Sequence, residues 1–326
     1  MKKILVMLLA LTVTAGVFAE VEVSVAGSIM MDIGTNVPMS DDDDPSVHWD
    51  MFDNGNTWIQ AKAKGENISA WVRTRPGDVW MGDATVNLSA FDLSVGFNRL
   101  PLAYWSSFEM WGDNNYAYGP SSTSRTAYIQ MTFSDFIFGI AEGGALHGRS
   151  VYKAWSPYIY LGYTFADDDE NFEAGAKFVA AHLSGNVRGA DTAFSFMGQI
   201  FGTLLMLDPV TLGLNAALYG SPDGTIFNVS DNPVVGSRAD NLVVEALVDV
   251  GLDLDTFFVS FSAGLVTNLD AGGIGLKFAA NAIFDIGGTG FSIIPGIAFT
   301  TNNYKDGNID KSHSLIDAGC SFAYSF

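Results

Sequence analysis

The chain ends in His313-Ser-Leu-Ile-Asp-Ala-Gly-Cys-Ser-Phe-Ala-Tyr-Ser-Phe326, and from Ile316 onward this segment alternates. Counting back in twos from Phe326 gives Tyr324, Phe322, Cys320, Ala318 and Ile316; the other parity gives Ser325, Ala323, Ser321, Gly319 and Asp317. Successive side chains of a strand point to opposite faces. One face is therefore apolar with aromatics at its end, and the other is small or polar. Such a strand separates an oily surface from a wetter one.

The same period of two recurs along the chain. Val21, Val23, Val25, Gly27 and Ile29 alternate with Glu22, Ser24, Ala26 and Ser28. Thr57 to Lys64 and Ile68 to Arg75 follow, then the hairpin in which Val86 and Leu88 face Leu93 and Phe91 across Ser89-Ala90. Further pairs turn at Ser134-Asp135, Ala166 to Asn171, Asp208-Pro209, Leu252 to Asp255 and Gly287-Gly288. In each, both arms carry their apolar groups on one side, so a one-residue slip would reverse every side chain. The count is about 16 strands. Phe194 to Leu207, where Met197, Leu204 and Leu205 blur the polar face, and the strand holding Pro295 fit least well and leave 14 as the alternative. A proline removes a ladder donor, which predicts a bulge at Pro295.

Connections are of two kinds. Long polar stretches are expected at Asp32 to Asn56, Asn98 to Arg125, Gly143 to Trp155 and Gly220 to Asn241, interleaved with tight turns. Phe91, Phe133, Phe136, Phe165, Phe172, Phe257, Phe284, Phe291 and Phe326 all fall on the apolar face beside a short turn or at the terminus. Aromatic rings are favoured at a membrane boundary, and a sandwich core would place them mid-strand at least as often.

At the N-terminus, Lys2-Lys3, the apolar run Ile4 to Phe18 and the small residues Val17 and Ala19 at −3 and −1 form a secretory signal peptide, residues 1–19. Removing Lys2 and Lys3 leaves 14 of the 16 basic residues against 36 acidic ones, a balance of about −22. This acidity argues against nucleic-acid binding, which needs phosphate neutralisation. Cys320 is the single cysteine, so internal disulfides and cysteine-based zinc sites are excluded. After the leader no run of 18 uninterrupted apolar residues occurs. An apolar-rich exported chain of this kind crosses lipid as a closed barrel, because only helices and closed sheets satisfy the backbone there.

The terminal strand closing on Phe326 resembles the C-terminal insertion signal of bacterial outer-membrane β-barrels, and the pattern of residues 20–326 resembles the outer-membrane porins. The resemblance implies an all-β, antiparallel transmembrane barrel in the outer membrane. It implies short periplasmic turns, long extracellular loops and engagement of the barrel-assembly machinery through Ile316–Phe326. It also implies passive diffusion of small hydrophilic solutes or ions, with a homotrimer as a possible assembly. The first strand starts almost at Glu20, which predicts neither the plug of a TonB-dependent receptor nor the N-terminal hatch of a fatty-acid channel. The alternative is a non-transport surface barrel, an adhesin or structural outer-membrane protein working through its loops.

Parity places Lys62, Lys64, Arg73, Arg75, Asp83, Glu173, Lys177, Glu245, Asp249, Lys277, Asp285 and Asp317 on the inner face. Bases gather in the early strands and acids in the late ones, as in the transverse field of diffusion porins. By analogy with the porin third loop, Glu109 and Asp113 in the aromatic stretch Asn98 to Arg125 could face Arg73 and Arg75 across a constriction. The acidic balance favours cations if enough carboxylates line the lumen. Asp41 to Asp44 lacks the spaced ligands of a calcium loop and reads as a solvated run. No cofactor or metal site is expected. His48, His147, His182 and His313 are expected in loops or at strand ends. His182 with Ser184 is the only near pair, and no GxSxG or HExxH motif is present, so no enzyme is expected.

Overall fold

The computed structural model describes residues 21–39, 45–50, 57–75, 78–99, 125–142, 157–167, 171–187, 190–220, 242–270, 272–306 and 309–326. These form strands only: β1 (Glu22–Pro38), β2 (Ser46–Asp50), β3 (Trp58–Lys64), β4 (Ile68–Arg75), β5 (Asp78–Asn87), β6 (Asp92–Arg99), β7 (Arg125–Phe133), β8 (Phe136–Glu142) and β9 (Pro157–Ala166). They continue as β10 (Phe172–Val187), β11 (Ala190–Leu207), β12 (Val210–Gly220), β13 (Leu242–Asp253), β14 (Phe258–Asn268), β15 (Gly273–Asp285), β16 (Phe291–Asp306) and β17 (Ile309–Ser325).

From β3 onward each strand pairs antiparallel with the next, and β17 returns to β1 through Ser28↔Ser325 to Pro38↔Leu315. The other edge of β1 holds β3 along Glu22 to Ser28 and β2 along Asp32 to Asn36. β2 and β3 therefore share one position, and the sheet is a closed ring of sixteen with one extra strand. Closure leaves no raw edge, which is what a sheet in lipid requires.

The seam is sealed at the chain's last residue. The Gly27 amide donates to the Phe326 carbonyl at 2.9 Å and the Phe326 amide to the Gly27 carbonyl at 3.1 Å. The Phe326 ring lies where a Gly27 side chain would stand, so a larger residue there would have to displace the ring.

The outer face carries the apolar parity. Val23, Val25, Ile29 and Ile33 of β1 are exposed, as are Ile129, Ile159, Leu161, Ile200, Leu214, Phe278 and Ile297 elsewhere in the ring. The outer residues of β16 run Phe291, Ile293, Pro295, Ile297 and Phe299, then become polar at Thr301 and Asn303. The apolar part climbs about 21 Å if strands rise about 3.4 Å per residue and tilt about 40°. That is close to the ~25 Å band of outer-membrane barrels.

The lower boundary is ringed. Phe91–Phe133 (5.2 Å between ring centroids), Phe136–Tyr163 (4.6 Å), Phe165–Phe172 (6.4 Å), Phe257–Phe284 (5.2 Å) and Tyr324–Phe326 (6.1 Å) pair at the short-turn end. At that end the chain turns tightly, with Ser89 (φ 68), Ser134 (φ 48) and Asp255 (φ 62) in the left-handed region. The longest gaps between strands, 100–124, 143–156 and 221–241, all fall at the other end.

Three expectations are corrected. The stretch Asp32 to Asn56 is not one long loop, because Asp32 to Pro38 extends β1 and Ser46 to Asp50 forms β2. Gly34, Thr35 and Asn36 read as turn residues, but β17 supplies a full partner for them. Pro295 makes no bulge: its register with β17 is continuous, and pairing with β15 passes from Asn281↔Gly296 to Phe284↔Ile293 without a shift. Its missing donor leaves a gap in the ladder instead of adding a residue. Bulges lie instead between Arg73 and Thr74, between Ser184 and Val187, and between Leu204 and Leu207. Finally, His48, His182 and His313 lie within β2, β10 and β17, because these strands continue past the apolar band. His147 lies outside the described residues.

Candidate functional site: the inner wall

Register assigns the inner face pair by pair. Starting at β1, one row runs Ser24, Lys62, Trp71, Asp83, Gly96, Tyr128 and Ala141. The next rows hold Gln60 opposite Arg73, and Lys64 opposite both Glu22 and Ser69. Arg75 lies opposite Asp78 after the register shift in β5. The four early bases thus occupy one continuous strip on β3 and β4. Lys62 and Lys64 are exposed, while Arg73 and Arg75 are half-buried.

Arg73 is held from three sides. Its Nε donates to the Gln60 Oε1 at 2.9 Å, and its guanidinium carbon lies 3.9 Å from the Trp58 ring centroid and 5.9 Å from that of Trp71. An arginine stacked on indole keeps its charge while losing side-chain freedom. Next to this strip the Tyr128 hydroxyl donates to Asp83 at 3.0 Å, and the Tyr160 hydroxyl to Gln130 at 3.1 Å. The Tyr160 ring fills the space above Gly139, where any side chain would collide with it. Trp58, Gln60, Trp71, Tyr128 and Tyr160 were not among the expected functional residues, although their parity alone places them inside.

The late strands build a different wall. Glu173, Lys177, Glu245, Asp249, Lys277 and Asp317 all have inward parity, in rows with Thr203, Gln199, Ala217, Gly213, Thr300 and Ala298. Glu245 is 5% and Asp249 3% exposed. Ser262 donates to Asp249 at 2.5 Å, Ser260 donates to Asn281, and Gln199 donates to Asn215 at 3.0 Å. Apolar residues are packed among them: Val243, Leu247, Val266, Ile294 and Met30 are buried with inward parity. The inner face is thus less uniformly polar than alternation implied. The Lys177 ammonium lies 4.9 Å from the Phe201 ring centroid.

Asp285 stands at the short-turn rim and accepts the Ser292 hydroxyl at 2.5 Å. It belongs to a set of exposed carboxylates at that end, with Glu66, Asp135, Asp208 and Asp255. Glu109 and Asp113 lie outside the described residues, as does Asp41 to Asp44. Among the described residues no group of three or more His, Cys, Asp and Glu could hold a metal ion.

No protein-family model matches the chain, and no curated protein matches it. Solved structures do. The outer membrane channel DcaP of Acinetobacter baumannii superposes with a TM-score of 0.70 at 12% identity, covering 94% of this chain and 97% of that one. An anion-selective porin from Comamonas acidovorans gives 0.62 at 10% identity, covering 94% and 100%. The outer membrane protein OmpT of Vibrio cholerae, in its trimer form, gives 0.59 at 13% identity, covering 94% and 100%. At such identities the likeness establishes the fold: an outer-membrane-type β-barrel.

Proposed function

We propose that the chain is a porin-like channel of the bacterial outer membrane, passing small hydrophilic solutes and ions by diffusion. The observation that carries this reading is the closed sixteen-position ring with an apolar outer and a largely polar inner face. Rings of this size are wide enough to leave an aqueous lumen, and the described inner residues offer water and ions many polar partners. Lys62, Arg73, Arg75, Glu173, Lys177, Glu245, Asp249, Lys277 and Asp317 are then lumen residues, with Asp285 at the rim. The signal peptide 1–19 directs export, and the terminal segment Ile316–Phe326 is read by the assembly machinery before the barrel enters lipid. A homotrimer fits the trimer form of the Vibrio protein. The inner polar groups serve permeation and packing, not catalysis.

Planar-bilayer recording of the refolded full chain tests this, with heat-modifiable gel mobility on the same sample to establish folding. Stepwise conductance is expected. A heat-modifiable barrel that gives no steps would favour the surface-barrel alternative, with the function residing in its outer loops.

A further inference from the structure

Resting on the channel reading above, we infer that solutes pass off-centre, along the inner face of β1, β3, β4 and β5, and that the arc β11 to β14 takes no part in contacting them. β4 and β12 stand eight positions apart in the ring of sixteen, so the two arcs face each other across the lumen. The argument is one of access. A permeating solute exchanges part of its hydration shell for wall contacts, and only wall atoms that water reaches can offer them.

On β11 to β14 water is kept off the inner face. Every inward residue from Gln199 to Thr203, Gly213 to Ala217, Val243 to Gly251 and Ser260 to Asn268 is buried. Gly213, Gly251 and Ser260 have little or no side chain to hide behind, so water is excluded from the arc itself. Polar groups there turn to one another, Ser262 to Asp249 and Gln199 to Asn215, as buried polar groups must. The facing arc is open. Ser24 and Ala26 of β1 and Lys62 and Lys64 of β3 are exposed, and Trp71, Arg73 and Asp83 are half-buried. Gln60, which accepts from Arg73, and Met81 are buried exceptions. Height in the wall does not account for the contrast. Lys62 and Ser260 each stand in the second inward row from their short turn, yet Lys62 is exposed and Ser260 is at 0%. The open arc carries both signs, with Glu22 opposite Lys64 and Asp78 opposite Arg75, so reach distinguishes it and net charge does not.

The test is the conductance of the full chain in a planar bilayer before and after addition of a cationic methanethiosulfonate reagent, with single cysteines introduced in a Cys320→Ser background. Ser24→Cys and Lys62→Cys, which share a row on the open arc, are each expected to lose conductance in steps as the adduct forms. Ser260→Cys and Ala217→Cys on the closed arc are expected to keep theirs. If Ser260→Cys does not refold, Ala217→Cys, which adds a single sulfur, still carries the comparison. Loss of conductance at Ala217→Cys as rapid as at Lys62→Cys overturns the inference while leaving the channel intact. So does insensitivity of both Ser24→Cys and Lys62→Cys. A folded barrel without conductance defeats the channel reading itself, and this inference with it.

Discussion

The inner surface of β3 and β4 and that of β13 to β15 have the same register geometry and opposite characters. The first leaves Lys62 and Lys64 exposed and lays the half-buried Arg73 over Trp58. The second buries short polar groups and aliphatic residues against one another, to the point that Val266 and Ser260 are 0% exposed. Closing a barrel does not make its inside uniform: one arc is organised to be touched, the other to hold shape.

Substitutions at matched positions separate the two arcs. The largest effect is expected from Val266→Asp. A carboxylate at a fully enclosed apolar position has no water and no built partner, and should cost roughly 3–5 kcal/mol, read as a lowered urea midpoint in detergent. Ser69→Asp is its counterpart on the exposed inner face beside Lys64 and should stay within about 0.5 kcal/mol. Equal costs would dissolve the distinction between the arcs.

Next is Tyr160→Ala, which empties the space over Gly139 and frees Gln130. A loss of about 3 kcal/mol is expected, whereas Tyr160→Phe should lose only about 1 kcal/mol with its hydrogen bond. Asp249→Ala withdraws the acceptor from the buried Ser262 hydroxyl and should cost about 1–3 kcal/mol. Asp249→Asn, which retains an acceptor, should cost less. The smallest change is expected from Lys64→Ala, within about 0.5 kcal/mol, measured by the same midpoint.

Much of the ring was legible from parity. Each hairpin has both arms agreeing on which side is apolar, and the phenylalanines beside the turns mark the lower boundary in the sequence itself. Parity also sorted Lys62, Arg73, Glu245 and Asp317 to the inside. It could not say how accessible each would be, because burial depends on neighbours two and three strands away. Glu245 and Lys62 carry equal weight in a charge count, yet Glu245 is sunk in the wall and Lys62 is exposed. Strand ends were the other blind spot. In Asp32 to Pro38, Ile33 and Val37 keep the outer parity, but Gly34, Asn36 and Pro38 between them favour turns and hide the strand, although the ladder continues through them. Pro295 misled for a related reason. In a sheet with no edge, a lost donor can be tolerated as one missing rung when both neighbouring strands keep the local register.

The seam between β1 and β17 also sets an order of events. Its partners, from Ser28 with Ser325 to Pro38 with Leu315, come from opposite ends of the described chain, whereas every other rung from β3 onward joins neighbours in sequence. Bringing such distant segments together loses chain entropy before any contact repays it. The hairpins are therefore expected to zip first and the cylinder to shut last.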